Sequence, residues 1–184
     1  MEFTKQTLEE LENKSGSLSE KFAVVGLDGF IDKLVTPVSE RRGPGENFSP
    51  IPTITDFANR IGAAAGRSAN IEFFPKVEKL GGNGPIMANA LDALGMNTKY
   101  IGALGFPEVH PVFQEFAEKT DAASICEPGI THAAEFEDGK IMFGSITSIE
   151  EITYQRIIDV MTEGGFFDVL SRAHLQAWVN WTMI

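Results

Sequence analysis

The sequence predicts an α/β fold, a mainly parallel sheet with flanking helices. Three observations carry this. Phe22–Leu27 is a continuous apolar run and Thr98–Leu104 a second strand of the buried type, the pattern of strands covered on both faces. Helix-patterned segments alternate with the strand runs, which calls for parallel strands joined by right-handed crossovers. A Gly-rich turn, Gly81-Gly82-Asn83-Gly84-Pro85, feeds directly into a helix whose apolar positions Ile86, Ala90, Ala93 and Leu94 end at Gly95.

Taken in order, residues 4–14 read as a short amphipathic helix, with Thr7 and Glu10 at capping-box spacing and Leu8 and Leu11 as its apolar anchors. Residues 1–20 are expected to be a peripheral N-terminal arm. The strand Phe22–Leu27 runs into Asp28-Gly29-Phe30-Ile31-Asp32, and Leu34-Val35 resumes an extended pattern. Residues 39–52 are rich in Gly, Pro, Arg and Ser and predict an exposed loop. Thr53 to Ala65 predicts a helix with Ile54, Phe57, Ala58, Ile61 and Ala65 on one face. Pro75 places an edge or bend before the Gly-rich turn. Pro111–Thr120 predicts a helix and Ala123–Cys126 a short strand. His132–Glu137 and Lys140–Phe143 flank Asp138-Gly139, a favoured pair for a two-residue hairpin turn. Ser148 and Glu151 then cap a helix carrying Ile152, Ile157 and Met161, which Gly164-Gly165 breaks before a further turn or short helix over Phe166–Arg172. Leu175–Ile184 closes as an apolar strand. Such a strand calls for neighbours on both edges, so the chain reads as the front part of a longer α/β domain; the alternative is a complete small domain with this strand at the sheet edge.

The formal charge of −11 argues against a nucleic-acid surface and against docking on anionic lipid. No apolar run reaches the roughly 18 residues of a membrane span. The first residues lack the pattern of a secretory signal, and the single cysteine, Cys126, has no partner for an internal disulfide; both fit a reducing cytoplasm. Cys126 itself reads as a small buried hydrophobe in a strand.

The chemistry is narrowed by elimination. There is no Walker-type P-loop, no C-x-x-C, no H-E-x-x-H and no G-x-S-x-G elbow. Gly82-Asn83-Gly84-Pro85-Ile86-Met87 begins like a dinucleotide fingerprint but has Met where the third Gly belongs. His110, His132 and His174 lack metal-ligand spacing, so no metal site is expected. What remains is polar groups at the ends of buried elements. Asp28 and Asp32 follow the first strand, where ligands of open α/β sheets gather, and a carboxylate accepts from two neighbouring hydroxyls. The turn at Gly81-Gly82-Asn83 supplies backbone N–H groups and an amide at a helix start, a place for polar or anionic groups. Together these suit a polyhydroxylated ligand such as a sugar, held in a cavity shared by Asp32 and the double-glycine bend. For Asp28 a turn-forming or cap-like role stands beside the ligand role.

Val24-Val25-Gly26-Leu27-Asp28-Gly29-Phe30-Ile31-Asp32-Lys33-Leu34 resembles the opening strand of the PfkB, or ribokinase-like, carbohydrate kinases. Leu80-Gly81-Gly82-Asn83-Gly84-Pro85 through Leu94-Gly95 is similar to that family's first signature, Tyr100–Gly105 continues it, and the hairpin from Thr131 to Phe143 looks like part of its lid. The similarity covers nearly all of 21–184, with the lid hairpin at about 131–144. It implies a ribokinase-like fold with a small β lid, and ATP-dependent phosphoryl transfer to a sugar or nucleoside hydroxyl, with ATP and Mg²⁺ as cofactors held mostly by residues outside this chain. By position, Asp32 corresponds to the carboxylate that binds substrate hydroxyls and Gly81 and Gly82 to the turn that closes on the sugar. Asn180 or Thr182, at the end of the last strand, is placed to reach the same pocket. Ile86 stands where the family usually carries Asn, so either Asn83 substitutes for that contact or the contact is lost and the sugar is left open. The family's second signature, a Gly-Ala-Gly-Asp-type stretch with the catalytic base, is absent, so no catalytic residue is expected here and the chain alone is expected to be inactive. Phe136, Ile141 and Phe143 give the hairpin an apolar face suited to covering the sugar or to clasping a second copy as a homodimer. Two other readings compete with the kinase: a non-catalytic sugar-binding module, and an unrelated nucleotide-binding α/β domain.

Overall fold

The structure, a computed structural model, describes residues 2–183. In chain order its main elements are α1 (Glu2–Ser15), β1 (Phe22–Leu27), β2 (Phe30–Arg41), β3 (Phe48–Pro50), α2 (Ile54–Gly62), β4 (Phe73–Gly81), α3 (Asn83–Ala93), β5 (Asn97–Ala103), α4 (Gln114–Lys119), β6 (Ala123–Cys126), β7 (Gly129–Phe136), β8 (Gly139–Ser145), α5 (Tyr154–Met161), α6 (Glu163–Arg172) and β9 (Leu175–Val179). Contacts group them into two units. The first comprises residues up to 30, 80–129 and from 146 onward; the second comprises 31–79 and 130–145.

The first unit is an all-parallel sheet in the order β6-β5-β1-β9. β1 is central, and its Ala23, Val24 and Val25 have no exposed surface. Side chains alternate across the sheet. Val24, Ile101 and Ala103 face a core completed by Ile125, Ile149, Ile157 of α5, and Phe166 and Val169 of α6. On the opposite side Tyr100 meets Phe116 of α4 edge-on at 5.1 Å, and α3 packs over β1 and β5. Burial on both faces is why β1 reads as a continuous apolar run, and β5 as one from Tyr100 onward, rather than as alternating strands. The predicted fold class, a mainly parallel sheet with flanking helices, is the one observed.

The second unit carries the other sheet, ordered β3-β2-β7-β8, with β4 also pairing β2. Its core is aromatic. Phe57 of α2 lies 5.3 Å from Phe136, 6.2 Å from Phe143 and 6.3 Å from Phe73. The apolar face of the hairpin is therefore covered by α2 within its own unit.

Several boundaries differ from the expectations, each for a physical reason. The loop over 39–52 shrinks to a short turn, because β2 runs to Arg41 and pairs β3; Arg41 bridges to Glu72 and stacks near Phe48 and Phe74. The hairpin turn falls on Glu137-Asp138, since Phe136 pairs with Gly139; the Asp138 carboxylate accepts from the Ile54 N–H at 3.0 Å, at the first residue of α2. α1 starts at Glu2, so Thr7 sits inside it rather than at a cap, and Leu8 and Leu11 are exposed. Ser148 and Glu151 lie in a 3-10 turn, and α5 is capped by Thr153, whose hydroxyl accepts from the Arg156 N–H. Gly164 and Gly165 do not break the helix; they lie in the first turn of α6, and the break falls at Thr162, which adopts φ 60° and caps α6 through Gly165 N–H. The closing strand stops at Val179, where Asn180 turns the backbone at φ 62°.

Ile125 is fully buried in the first unit's core, whereas Leu94 is 64% exposed. Ile125→Ala is expected to lower the unfolding free energy by about 2–5 kcal/mol and Leu94→Ala to leave it within about 0.5 kcal/mol. Urea denaturation followed by tryptophan fluorescence measures both.

Candidate functional site

Parallel pairing brings the ends of β1, β5 and β9 to the same edge of the first unit, with Leu27 opposite Gly102 and Val179. Asp28 follows β1 there with no exposed surface. Its Oδ1 accepts from the Gly84 N–H at 2.7 Å. Its Oδ2 accepts from the Asn83 N–H at 2.9 Å and from Asn180 Nδ2 at 2.7 Å. Its main-chain carbonyl accepts from the Tyr100 hydroxyl. Burial and the nearby Asp28 carboxylate push the Tyr100 phenol well up, so it remains a protonated donor.

This arrangement explains the start of α3. Asn83 and Gly84 are its first two residues, Pro85 has no N–H, and the Ile86 N–H already bonds the Gly82 carbonyl at 3.2 Å. The free donors of a helix N-terminus are thus consumed by a carboxylate from the sheet. The expectation that they await an anionic ligand is corrected. So is the ligand role of Asp28, which is inaccessible and already holds three donors; the cap-like alternative fits its surroundings. Asn180 likewise turns toward Asp28. Gly82 adopts φ 100°, and a Cβ there would lie 3.1 Å from Asp28 Oδ2; a Cβ on Gly84 would lie 2.7 Å from Asp28 Oδ1 and strike the Tyr100 hydroxyl. Gly81 is buried, Gly82 half-buried, and Asn83 exposed.

Asp32 belongs to the second unit, half-buried on β2. Burial pushes its carboxyl above the usual carboxylate range, against the opposing pull of the Lys79 and Lys140 ammonium groups and a hydrogen bond from Thr131. Lys140 also lines a cavity of about 640 Å³ in that unit, together with Thr36, Lys76 and Glu135. The Thr36 hydroxyl is buried and has no hydrogen-bond partner. Tyr100, Thr131, Lys79 and Lys140 went unforeseen: a tyrosine in a buried strand reads as core, and the lysines acquire meaning only through strand pairing.

Burial pushes the Cys126 thiol up to about 12, assisted by Glu151 and opposed by Arg156, which leaves little thiolate at neutral pH. His110 and His174 each accept a main-chain N–H, from Val112 and Phe22 respectively. Neither ATP nor Mg²⁺ finds a fitting set of ligands among the described residues: no three His, Cys, Asp or Glu side chains converge, and the N–H groups at the start of α3 are taken.

A family model for prokaryotic ketohexokinase matches residues 3–184. A ketohexokinase of Haloferax volcanii is 31% identical over 134 residues, which is 72% of this chain and 35% of that protein. The chain therefore spans about a third of the length of the curated relative it matches. Among solved structures, a carbohydrate kinase from Agrobacterium tumefaciens superposes with a TM-score of 0.50 at 17% identity, covering 85% of this chain and 45% of that one. The ribokinase of Giardia lamblia gives 0.50 at 15% identity, covering 86% and 41%. These two likenesses show the ribokinase-like fold. No helix of the described residues is long and apolar enough to cross a membrane.

Gly84→Ala would press a methyl group onto Asp28 and Tyr100, whereas a Cβ on Gly62, in α2, meets nothing within 4 Å. Gly84→Ala is expected to destabilise by about 1–3 kcal/mol and Gly62→Ala to be neutral or stabilising by up to about 1 kcal/mol. Opposite shifts of the calorimetric midpoint would bear this out, and equal shifts would contradict it.

Proposed function

This chain belongs to the prokaryotic ketohexokinase family, and from that premise we propose that it forms the substrate-binding and lid portion of a kinase that transfers a phosphoryl group from ATP to a hydroxyl of a ketohexose. The observation that carries the reading beyond membership is the setting of Asp32. Its carboxylate is half-buried on β2, in the field of the Lys79 and Lys140 ammonium groups, and we propose it as the acceptor for sugar hydroxyls. The second unit is the lid in this reading.

The remaining roles divide by accessibility. In the first unit the exposed Asn83 side chain and the half-buried Gly82 backbone are the proposed sugar contacts, while Gly81 is buried. The general base and the nucleotide site are assigned to sequence outside these 184 residues, because no Gly-Ala-Gly-Asp-type stretch is present. ATP and Mg²⁺ would supply the transferred group and its charge neutralisation when bound. A reducing cytoplasm is the proposed setting, in keeping with a lone, buried Cys126. With Phe136 and Phe143 packed on α2, pairing of two copies through the hairpin would use its other face, which carries the 68% exposed Met142; a monomer by light scattering removes that proposal.

D-fructose is expected to raise the melting temperature of the chain while ATP alone does not, and the chain should show no fructose-dependent ATP turnover. Stabilisation by nucleotide only would overturn the sugar reading. Asp32→Ala should weaken fructose binding by at least about tenfold, the loss of one or more charge-assisted hydrogen bonds. The sign of the pH effect follows from the raised carboxyl. The ionised form accepts the hydroxyls, so affinity is full at high pH and falls as pH drops through a value above the ordinary carboxylate range. Titration calorimetry across pH should show this in the parent chain and a flat profile in Asp32→Asn.

A further inference from the structure

The reading above leaves Asp28 unused, although it has no exposed surface and joins three segments far apart in the chain. Its partners at Asn83 and Gly84 lie 55 and 56 residues away, and Asn180 lies 152 residues away. A helix start is ordinarily satisfied by its own N-cap side chain. Here the N-cap is Gly82, which has no side chain, and the cap comes from the end of the central strand instead. For helix stability alone, Ser or Asp at position 82 would serve, were the backbone there not held at φ 100° with the Asp28 carboxylate against it. The remote cap leaves the helix start without an N-cap side chain at Gly82 and with Asn83 exposed. It also ties the place of the turn to the sheet.

We propose that Asp28 is a positioning residue for the substrate turn: its buried carboxylate, aligned by Asn180 and backed by Tyr100, fixes the backbone of Gly82–Gly84, and with it the place of the exposed Asn83 side chain, in the geometry that meets the sugar. The proposal rests on the sugar-kinase reading and extends it to a residue that does not touch substrate. Asn180 then acts through Asp28. Its left-handed backbone, φ 62°, ends β9 at the point where its amide reaches Oδ2, so the end of β9 reports on the turn through a single side chain.

The test is amide hydrogen exchange at Asn83 and Gly84 combined with fructose calorimetry, both run well below the melting temperature on the parent chain, Asp28→Asn, Asn180→Ala and the double variant. Asp28→Asn keeps the volume but sets an NH₂ group against N–H donors. It is expected to lose protection at those two amides and to weaken fructose binding by about tenfold, the equivalent of one hydrogen bond to a charged group. If Asp28→Asn does not fold, Asn180→Ala removes one of the three donors and is expected to give the same pattern at about threefold. The double variant should match Asp28→Asn alone, because Asn180 acts through the carboxylate; additive losses would make Asn180 a direct sugar contact and overturn the shared mechanism. Lost protection with unchanged fructose affinity, or unchanged protection, also overturns the positioning role. Failure of the parent chain to bind fructose overturns the sugar reading itself, and the proposal with it, whatever the amides do.

Discussion

The first unit depends on one buried carboxylate. Taking Asp28 out of water carries an effective penalty of several kcal/mol, and no cationic side chain is among its hydrogen-bond partners to offset it. What it has are three N–H donors, two of them at the positive end of α3. Hydrogen bonds to a charged group each contribute about 1.5–3 kcal/mol, and a helix N-terminus adds up to about 2 kcal/mol in partly buried geometry. These magnitudes are comparable to the penalty, so the arrangement adds little net stability. It specifies instead: with all three donors present the carboxylate is accommodated, and with any one missing a buried charge is left short of a partner. The constraint is geometric before it is energetic.

That constraint reaches back into the sequence. Gly82 and Gly84 are glycine because Asp28 occupies the space a Cβ would fill, at 3.1 Å and 2.7 Å respectively. Pro85 fits as the third helical residue, since it brings no N–H to a helix start whose donors are already allotted. Val179 ends β9 because the next residue is held left-handed with its amide on Asp28. The Gly-Gly-Asn-Gly-Pro run and the end of the last strand are therefore two consequences of one side chain.

Much of the fold was legible because the central strands have no solvent face. An unbroken apolar run such as Ala23-Val24-Val25 admits few other readings, and the alternation of runs and amphipathic segments implies parallel order. The start and stop of α3 were legible from Gly82 and Gly95, both at positive φ. What escaped was set by partners remote in sequence. A polar, Pro-containing 39–52 looks like loop until β2 pairs β3. Trp181-Thr182-Met183 looks like strand until Asn180 finds Asp28. Thr162 carries no local mark of φ 60°, so Gly164-Gly165 took the role of helix breaker in its place. Tertiary pairing outweighs local propensity in each case.

The candidate site was half legible for a related reason. Asp28 and Asp32 look alike in sequence, each following an apolar residue, Leu27 or Ile31, near the end of a strand. Hydroxyl-binding chemistry can be written for either. Environment separates them. Asp28 has three donors and no accessible surface, so its acceptor capacity is committed to the chain. Asp32 is half-buried, has a carboxyl raised by burial against the pull of lysines on two different strands, and has, among the described residues, no main-chain N–H donors like those that commit Asp28. One carboxylate organises and the other can receive. The difference lies in which N–H groups reach each one, a property of strand order and helix placement that a linear pattern of residue types does not contain.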